Sequence, residues 1–217
     1  DIHVVDAYLK LLESRGVTTR EAIFNFDFTL EEKAFAQSFL RDNAIGDNDT
    51  VVGLAPMANW SLKCWPIRKW NELIDVLMRK HNFKVIVFGK TSSDPYIKEA
   101  ASNISRNAVS AIDRCTLRQA GTLIQKCNLF ISPDSGLLHF AGCLRVPCLG
   151  LFGPTDSKHY YPYSFRSGAI QSKADLSCLP CSRSRDFAKC KAKGGLAPCM
   201  DFISLEEVVA EVEKKLG

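Results

Sequence analysis

Between Val51 and Phe152 short apolar runs alternate with single amphipathic stretches, a rhythm that few folds accept. Apolar runs cover residues 51–55, 84–88, 108–112, 129–131 and 147–152. Between them, residues 66–80 carry Ile67, Trp70, Ile74 and Leu77 on one face of a 3.6-residue helix, and residues 95–104 read as a second helix. Thr116 with Gln119 opens a third helix, whose buried side is read as Leu117, Ala120 and Ile124; residues 135–144 form a fourth. Strands joined by helical crossovers pair in parallel, and a parallel sheet must be covered on both faces. The expected fold is therefore α/β: a Rossmann-like, doubly wound parallel sheet.

The flanking segments are also readable. Residues 1–14 place Val4, Val5, Tyr8, Leu11 and Leu12 at helical spacing, a helix that needs a partner surface. Thr29 with Glu32 forms a capping box ahead of a helix with the buried stripe Phe35, Ala36, Phe39 and Leu40. Residues 22–28 alternate weakly and read as a short strand. The acidic triplet Asp47-Asn48-Asp49 lies where a helix turns into a strand and reads as a solvated loop. Ser204 with Glu207 opens a last helix striped by Leu205, Val208, Val209, Val212 and Leu216.

With 217 residues and 46% hydrophobic content, the chain can bury one large core. No apolar run reaches membrane-spanning length, and the polar opening at Asp1 is not a signal peptide, so a cytoplasmic setting is expected. The missing initiator methionine reads as a portion of a longer chain. A net charge of +4 favours phosphorylated or acidic partners, and no basic and aromatic stripe points to nucleic acid. No Gly-x-Gly-x-x-Gly follows a strand and no Walker-type loop is present, which argues against a dinucleotide oxidoreductase and a P-loop enzyme.

Chemistry concentrates at strand ends. The run 129–131 leads into Asp134, Ser135, Gly136 and, one helical turn on, His139. In an open parallel sheet, ligands bind beyond the carboxyl ends of strands, where helix N-termini offer unpaired N–H groups and partial positive charge. Gly136 permits close approach of backbone to ligand. A plain helix cap at Asp134 or Ser135 with a hydrogen-bonded histidine fits the same residues. Lys63 stands just ahead of a helix begun by Pro66, an unfavourable place for an ammonium that a phosphate would relieve; a solvent-facing lysine is the alternative. Asp94, closing the polar cluster Thr91-Ser92-Ser93-Asp94, is suited to ribose hydroxyls and equally to capping a helix.

Four cysteines, Cys178-x-x-Cys181, Cys190 and Cys199, have the spacing of a small structural zinc ribbon. Free thiols, or disulfides formed on oxidation, fit as well. Arg183, Arg185, Lys189, Lys191 and Lys193 interleave with them, either as a solvated basic surface or as a contact for an anionic acceptor. The other five cysteines, Cys143 and Cys148 among them, are read as core residues.

Taken in order, Lys63-x-Trp65-Pro66, Gly89 with an acidic residue soon after, Asp134-Ser135-Gly136-x-x-His139-x-Ala141 and Leu151-Phe152-Gly153-Pro154-Thr155-Asp156 resemble the C-terminal half of glycosyltransferase family 9, the heptosyltransferase family. The resemblance runs from about Asn25 to the end of the chain. It implies the C-terminal, donor-binding domain of a two-domain GT-B enzyme in lipopolysaccharide core-type biosynthesis. Such an enzyme transfers a sugar, typically from ADP-heptose, to a glycan or lipid-linked acceptor at the inner face of the cytoplasmic membrane, with inversion and without a metal or other cofactor. Carried onto this chain, Lys63 would contact the phosphates or sugar, Asp134 the sugar hydroxyls, and Ser135 and Gly136 the diphosphate, with His139 supporting that corner. Asn59 would meet the phosphates, Asp94 the ribose, and Cys115 would lie near the base.

The family's general base belongs to an N-terminal domain, and no catalytic residue here matches it. The implied division is 1–20 as a helix from the interdomain connection, 21–172 as the Rossmann-like nucleotide-sugar-binding domain, and 173–217 as the cysteine-containing segment and C-terminal helix. In a GT-B enzyme the last helix often crosses to the other domain, so part of its stripe is expected to lie open here. Ser157 replaces the usual proline, and His159-Tyr160-Tyr161-Pro162-Tyr163 is unusually aromatic: a packed loop or a sugar-stacking platform. A non-catalytic nucleotide or nucleotide-sugar binding module is the alternative reading.

Overall fold

The computed structural model describes residues 2–18, 22–165, 168–181, 190 and 196–217. Its centre is a six-stranded sheet in the order β3-β2-β1-β4-β5-β6, with every neighbouring pair parallel. The strands are β1 Val51–Leu54, β2 Lys84–Val87, β3 Val109–Ser110, β4 Leu129–Pro133, β5 Cys148–Phe152 and β6 Ala169–Gln171. Helices α1 Val4–Glu13 and α2 Leu30–Asp42 precede the sheet. Within it run α3 Ile67–Arg79, α4 Pro95–Asn103, α5 Leu117–Ile124, α6 Gly136–Cys143 and α7 Ser157–Tyr160; α8 Pro198–Asp201 and α9 Leu205–Leu216 follow.

Period-two alternation sends neighbouring strand residues into two separate cores. Val52, Leu54, Val85, Val87, Leu129, Ile131, Leu149 and Leu151 pack beneath α3 and α9. On the other face Val51, Ile86, Phe88, Phe130, Cys148 and Phe152 meet α2, α5 and α6. On α3, Trp70, Leu73, Ile74 and Leu77 are all fully buried. At roughly 1.5–3 kcal/mol per large apolar side chain, that face far outweighs the few tenths from an exposed pair such as Asp75–Arg79. Both expected capping boxes form, Thr29 with Glu32 on α2 and Thr116 with Gln119 on α5.

Three local expectations need correction, and one strand is added. Residues 22–28 join no strand: the segment is extended but crosses the helical layer, with Phe26 edge-on to Phe140 and Phe28 buried under the Arg118 guanidinium. Its alternation reflects one side of an extended chain lying on helices. Leu117 is 63% exposed, because the buried stripe of α5 is Ala120, Leu123 and Ile124 and the first helical residue points outward. The strand β6 went unread from sequence. Finally, the C-terminal stripe does not lie open at its centre: Val208 and Val212 are buried against α3 and the sheet, and Lys80 pairs with Glu213 across the two helices.

The helix α1 does lie open. None of its residues is buried, and Tyr8, Leu11 and Leu12 are exposed. It is held at its start by buried His3, whose Nδ1 accepts from Val5 N–H and whose Nε2 donates to the Tyr161 carbonyl at 2.9 Å. The imidazole also packs against the rings of Tyr161 and Tyr163, and Tyr163 donates to Asp6. Those two tyrosines belong to a packed loop. Among the described residues no helix is long and apolar enough to cross a membrane.

Candidate functional site

The strand order places the topological switch between β1 and β4: the chain leaves β1 towards β2 on one side and β4 towards β5 on the other. The connections part at that point, which opens a crevice beyond the strand ends. It has a volume of about 260 Å³. Ala58, Asn59, Trp60 and Lys63 from the loop after β1 line one wall, and Asp134, Ser135, Gly136 and His139 from the β4–α6 corner line the other.

The first wall is a short, stiff turn. Residues Ser61–Lys63 form one 3-10 turn in which Lys63 N–H donates to the Trp60 carbonyl at 3.0 Å. Buried Cys64 closes it from beneath, its Sγ accepting from Ala58 N–H. The turn aims Lys63 across the crevice, where its Nζ donates to Asp134 Oδ2 at 2.6 Å. The ammonium ahead of α3 was expected to wait for a phosphate; the fold supplies a carboxylate of its own.

Asp134 is the hub. Its side chain is 8% exposed, and its second oxygen, Oδ1, accepts from His139 Nε2 at 3.0 Å. Burial alone would push this carboxyl up, but the hydrogen bonds from His139 and Lys63, with the ammonium's charge, outweigh it and hold the group at about 2. It is ionised at neutral pH and is a poor proton acceptor.

Ser135, not Asp134, caps α6. Its Oγ accepts from Leu138 N–H and lies 2.8 Å from Ser132 Oγ, which in turn donates to the Pro133 carbonyl. The cap leaves Asp134 to Lys63 and His139. Gly136, at the first position of α6, is exposed, and a Cβ there would meet no atom within 4 Å. Packing does not demand glycine at this position, so the open space above it is available to a ligand.

Six of the eight expected donor-site residues therefore meet in one crevice: Asn59, Lys63, Asp134, Ser135, Gly136 and His139. Asp94 and Cys115 do not line it. Asp94 caps α4 through Ile97 N–H beyond β2, and the half-buried Cys115 thiol donates to the Ala111 carbonyl beyond β3. Near them Asp113, in the left-handed region at φ 56°, accepts from Thr91 N–H and Oγ and ties those two strand ends together. Sequence reasoning missed Trp60 and Ser132. A buried hydroxyl within the apolar run of β4 was the available signal for Ser132; for Trp60 there was only its nearness to Lys63.

The four C-terminal cysteines approach one another. Cys181 is hydrogen-bonded with Cys178; burial, then Cys178, pushes its thiol up to about 11. Burial, then the neighbouring Cys181 and Cys190, pushes Cys199 up to about 12. Among the described residues no group of three or more His, Cys, Asp or Glu side chains is set to hold a metal ion. The basic residues Arg183, Arg185, Lys189, Lys191 and Lys193 lie outside the described residues.

Comparison with known proteins adds four findings. Residues 1–192 match the model of glycosyltransferase family 9 (heptosyltransferase). Lipopolysaccharide heptosyltransferase 3 of Escherichia coli K12 is 28% identical over 219 residues, covering 99% of this chain; the chain spans 60% of that relative's length. Among solved structures, a family 9 glycosyl transferase from Veillonella parvula superposes with a TM-score of 0.81 at 23% identity, covering 99% of this chain and 60% of that one. The iron-containing dodecameric heptosyltransferase TibC of enterotoxigenic E. coli, solved with ADP-D-beta-D-heptose, superposes with a TM-score of 0.58 at 15% identity, covering 77% of this chain and 45% of that one.

Proposed function

Because the chain belongs to glycosyltransferase family 9, the heptosyltransferase family, we propose that it is the donor-binding part of an inverting, metal-independent enzyme that uses an ADP-heptose-like nucleotide sugar. The observation that carries this reading is the Lys63–Asp134–His139 constellation facing the start of α6 across the switch-point crevice. Lys63 turns from Asp134 to the diphosphate when donor enters. Asn59, Ser135 and the N–H groups at Gly136 complete the diphosphate site, and Asp134, steadied by His139, accepts hydrogen bonds from sugar hydroxyls. The nucleoside runs over the strand ends towards Asp94 for the ribose and Cys115 for the base.

In the transfer an acceptor hydroxyl attacks the anomeric carbon, the bond to the diphosphate breaks, and its electron pair leaves with the diphosphate. An ammonium and preorganised N–H groups stabilise that developing charge better than water does. The hydroxyl proton must go to a base. Asp134 is committed to the sugar hydroxyls and to His139 in this reading, which leaves it no free oxygen for that task. As the family 9 resemblance implies, we assign the base to an N-terminal domain that also helps to hold the acceptor. The acceptor is a lipopolysaccharide core-type glycan or lipid-linked sugar, met at the inner face of the cytoplasmic membrane.

Calorimetric titration with ADP, using UDP and NAD as controls, tests the reading. Saturable binding of ADP, at least tenfold tighter than UDP or NAD, is expected; preference for NAD, or no discrimination among the three, would sink it.

The same reading includes a structural metal, zinc or iron, on Cys178, Cys181, Cys190 and Cys199. Four sulfur donors suit either ion, and the cysteine spacing and the iron-containing TibC neighbour favour it. In the described geometry no three of these thiols are set to hold one, so binding would draw them together. Elemental analysis of the purified protein should find stoichiometric zinc or iron that is lost in Cys178→Ser/Cys181→Ser. Metal-free, fully folded protein with all four thiols titratable would rule the metal out.

A further inference from the structure

We propose that Trp60 is the surface on which the donor's sugar ring stacks, which makes it a residue that selects nucleotide sugar over free nucleotide. The inference rests on the donor-binding reading and adds to it a role for a side chain that the reading leaves idle. A pyranose has two kinds of surface: a rim of hydroxyls that needs hydrogen-bond partners, and C–H faces that need an apolar wall. The crevice is divided in the same way. Asp134, Ser135 and His139 put hydrogen-bonding groups on one side, and Trp60 brings the largest apolar side chain among its lining residues to the other. Indole is well suited to this, offering a wide, rigid face with only two side-chain torsions to restrain.

The position of the ring is tied to the chemistry. Trp60 opens the 3-10 turn that ends at Lys63, joined to it by the 3.0 Å hydrogen bond from Lys63 N–H to the Trp60 carbonyl. Directly beyond the turn, Cys64 and Trp65 are both fully buried and anchor it in the core. The backbone of Trp60 is thereby tied to that of Lys63, and Trp60, half-buried, borders the crevice beside it.

The crevice, of about 260 Å³, is open to solvent at the strand ends and holds only part of a nucleotide sugar among its lining residues. Asp94 and Cys115, the residues proposed for the nucleoside, line no part of it. What fits beside Lys63 and Asp134 is the sugar with the adjoining phosphate, and Trp60 borders that end.

The test is calorimetric titration of ADP and ADP-heptose into the wild-type protein, Trp60→Leu and Trp60→Phe, with thermal midpoints recorded for each. Leucine fills much of the indole's volume without an aromatic face. Trp60→Leu should weaken ADP-heptose binding on the order of 10-fold while ADP stays within about 2-fold, and Trp60→Phe should recover most of the loss. Equal weakening of both ligands would move the indole to the base or phosphates and overturn the proposal. So would a Leu variant that binds ADP-heptose as the Phe variant does. Wild-type protein that binds neither ligand refutes the donor-binding reading itself, and the Trp60 assignment falls with it.

Discussion

Lys63→Ala should raise the dissociation constant for ADP by about 30- to 300-fold, because two losses act in the same direction. The diphosphate loses an ammonium, and Asp134, only 8% exposed, loses its closest counter-charge while staying beside the phosphate site. Truncating one partner of a buried charge pair costs roughly 2–5 kcal/mol, and the 24% exposure of Lys63 points to the lower half of that range. The repulsive share can be separated. With Lys63 gone, burial of Asp134 is opposed chiefly by His139, and the carboxyl's pKa climbs from about 2. ADP affinity of the variant should therefore improve as pH falls through the range where Asp134 takes up its proton. Lys63→Ala/Asp134→Asn should recover several-fold of the loss at neutral pH. Titration of the three proteins decides it: equal affinities of the single and double variants would mean that the Asp134 charge does not reach the ligand.

Trp65→Ala should be the most damaging single change to the fold, costing about 3–5 kcal/mol. The ring is fully buried, meets Trp70 edge-on at 5.2 Å, and donates from Nε1 to the Ile203 carbonyl at 3.0 Å, joining the segment before α3 to the turn between α8 and α9. Lys69 Nζ also reaches that carbonyl, so the acceptor keeps one partner and most of the loss is packing. For a chain of this size each kcal/mol moves the midpoint by roughly 2–4 °C, so a fall of about 10 °C is expected by calorimetry or circular dichroism. Trp65→Phe, which keeps most of the ring and loses the hydrogen bond, should cost about 1–2 kcal/mol. A midpoint for Trp65→Ala within about 2 °C of wild type would show that the core closes over the gap and that this ring does not hold the C-terminal helix to the domain. Because the same segment carries Lys63, donor affinity should fall with stability in the alanine variant.

The elements were largely legible in the sequence because their determinants are local. Helical spacing on α3 and α9 and the capping boxes of α2 and α5 depend on side chains within a few residues of one another. The Asp134-Ser135-Gly136-x-x-His139 run likewise places a carboxylate, a hydroxyl and a histidine around one helix start. Errors arose where local pattern does not identify a partner. Residues 22–28 alternate as a strand would, but alternation alone cannot say whether an extended segment lies on a sheet edge or on helices. The stripe of α9 was clear, while its burial against α3 depended on a surface well over a hundred residues away.

What the amino-acid sequence by itself determined was the kind of sheet, parallel and covered on both faces, and the strand ends at which polar residues collect, since both follow from short-range periodicity and crossover length. Only the tertiary structure decided which of those ends face each other. It placed β1 beside β4, so that Lys63 reaches Asp134 across 71 residues of sequence, assigned the helix cap to Ser135, and set Trp60 on the border of the same crevice. The reason is physical: a buried ion pair exists only where two backbones bring the charges within hydrogen-bonding distance, and that distance is set by the strand order and by the packing beneath the turns.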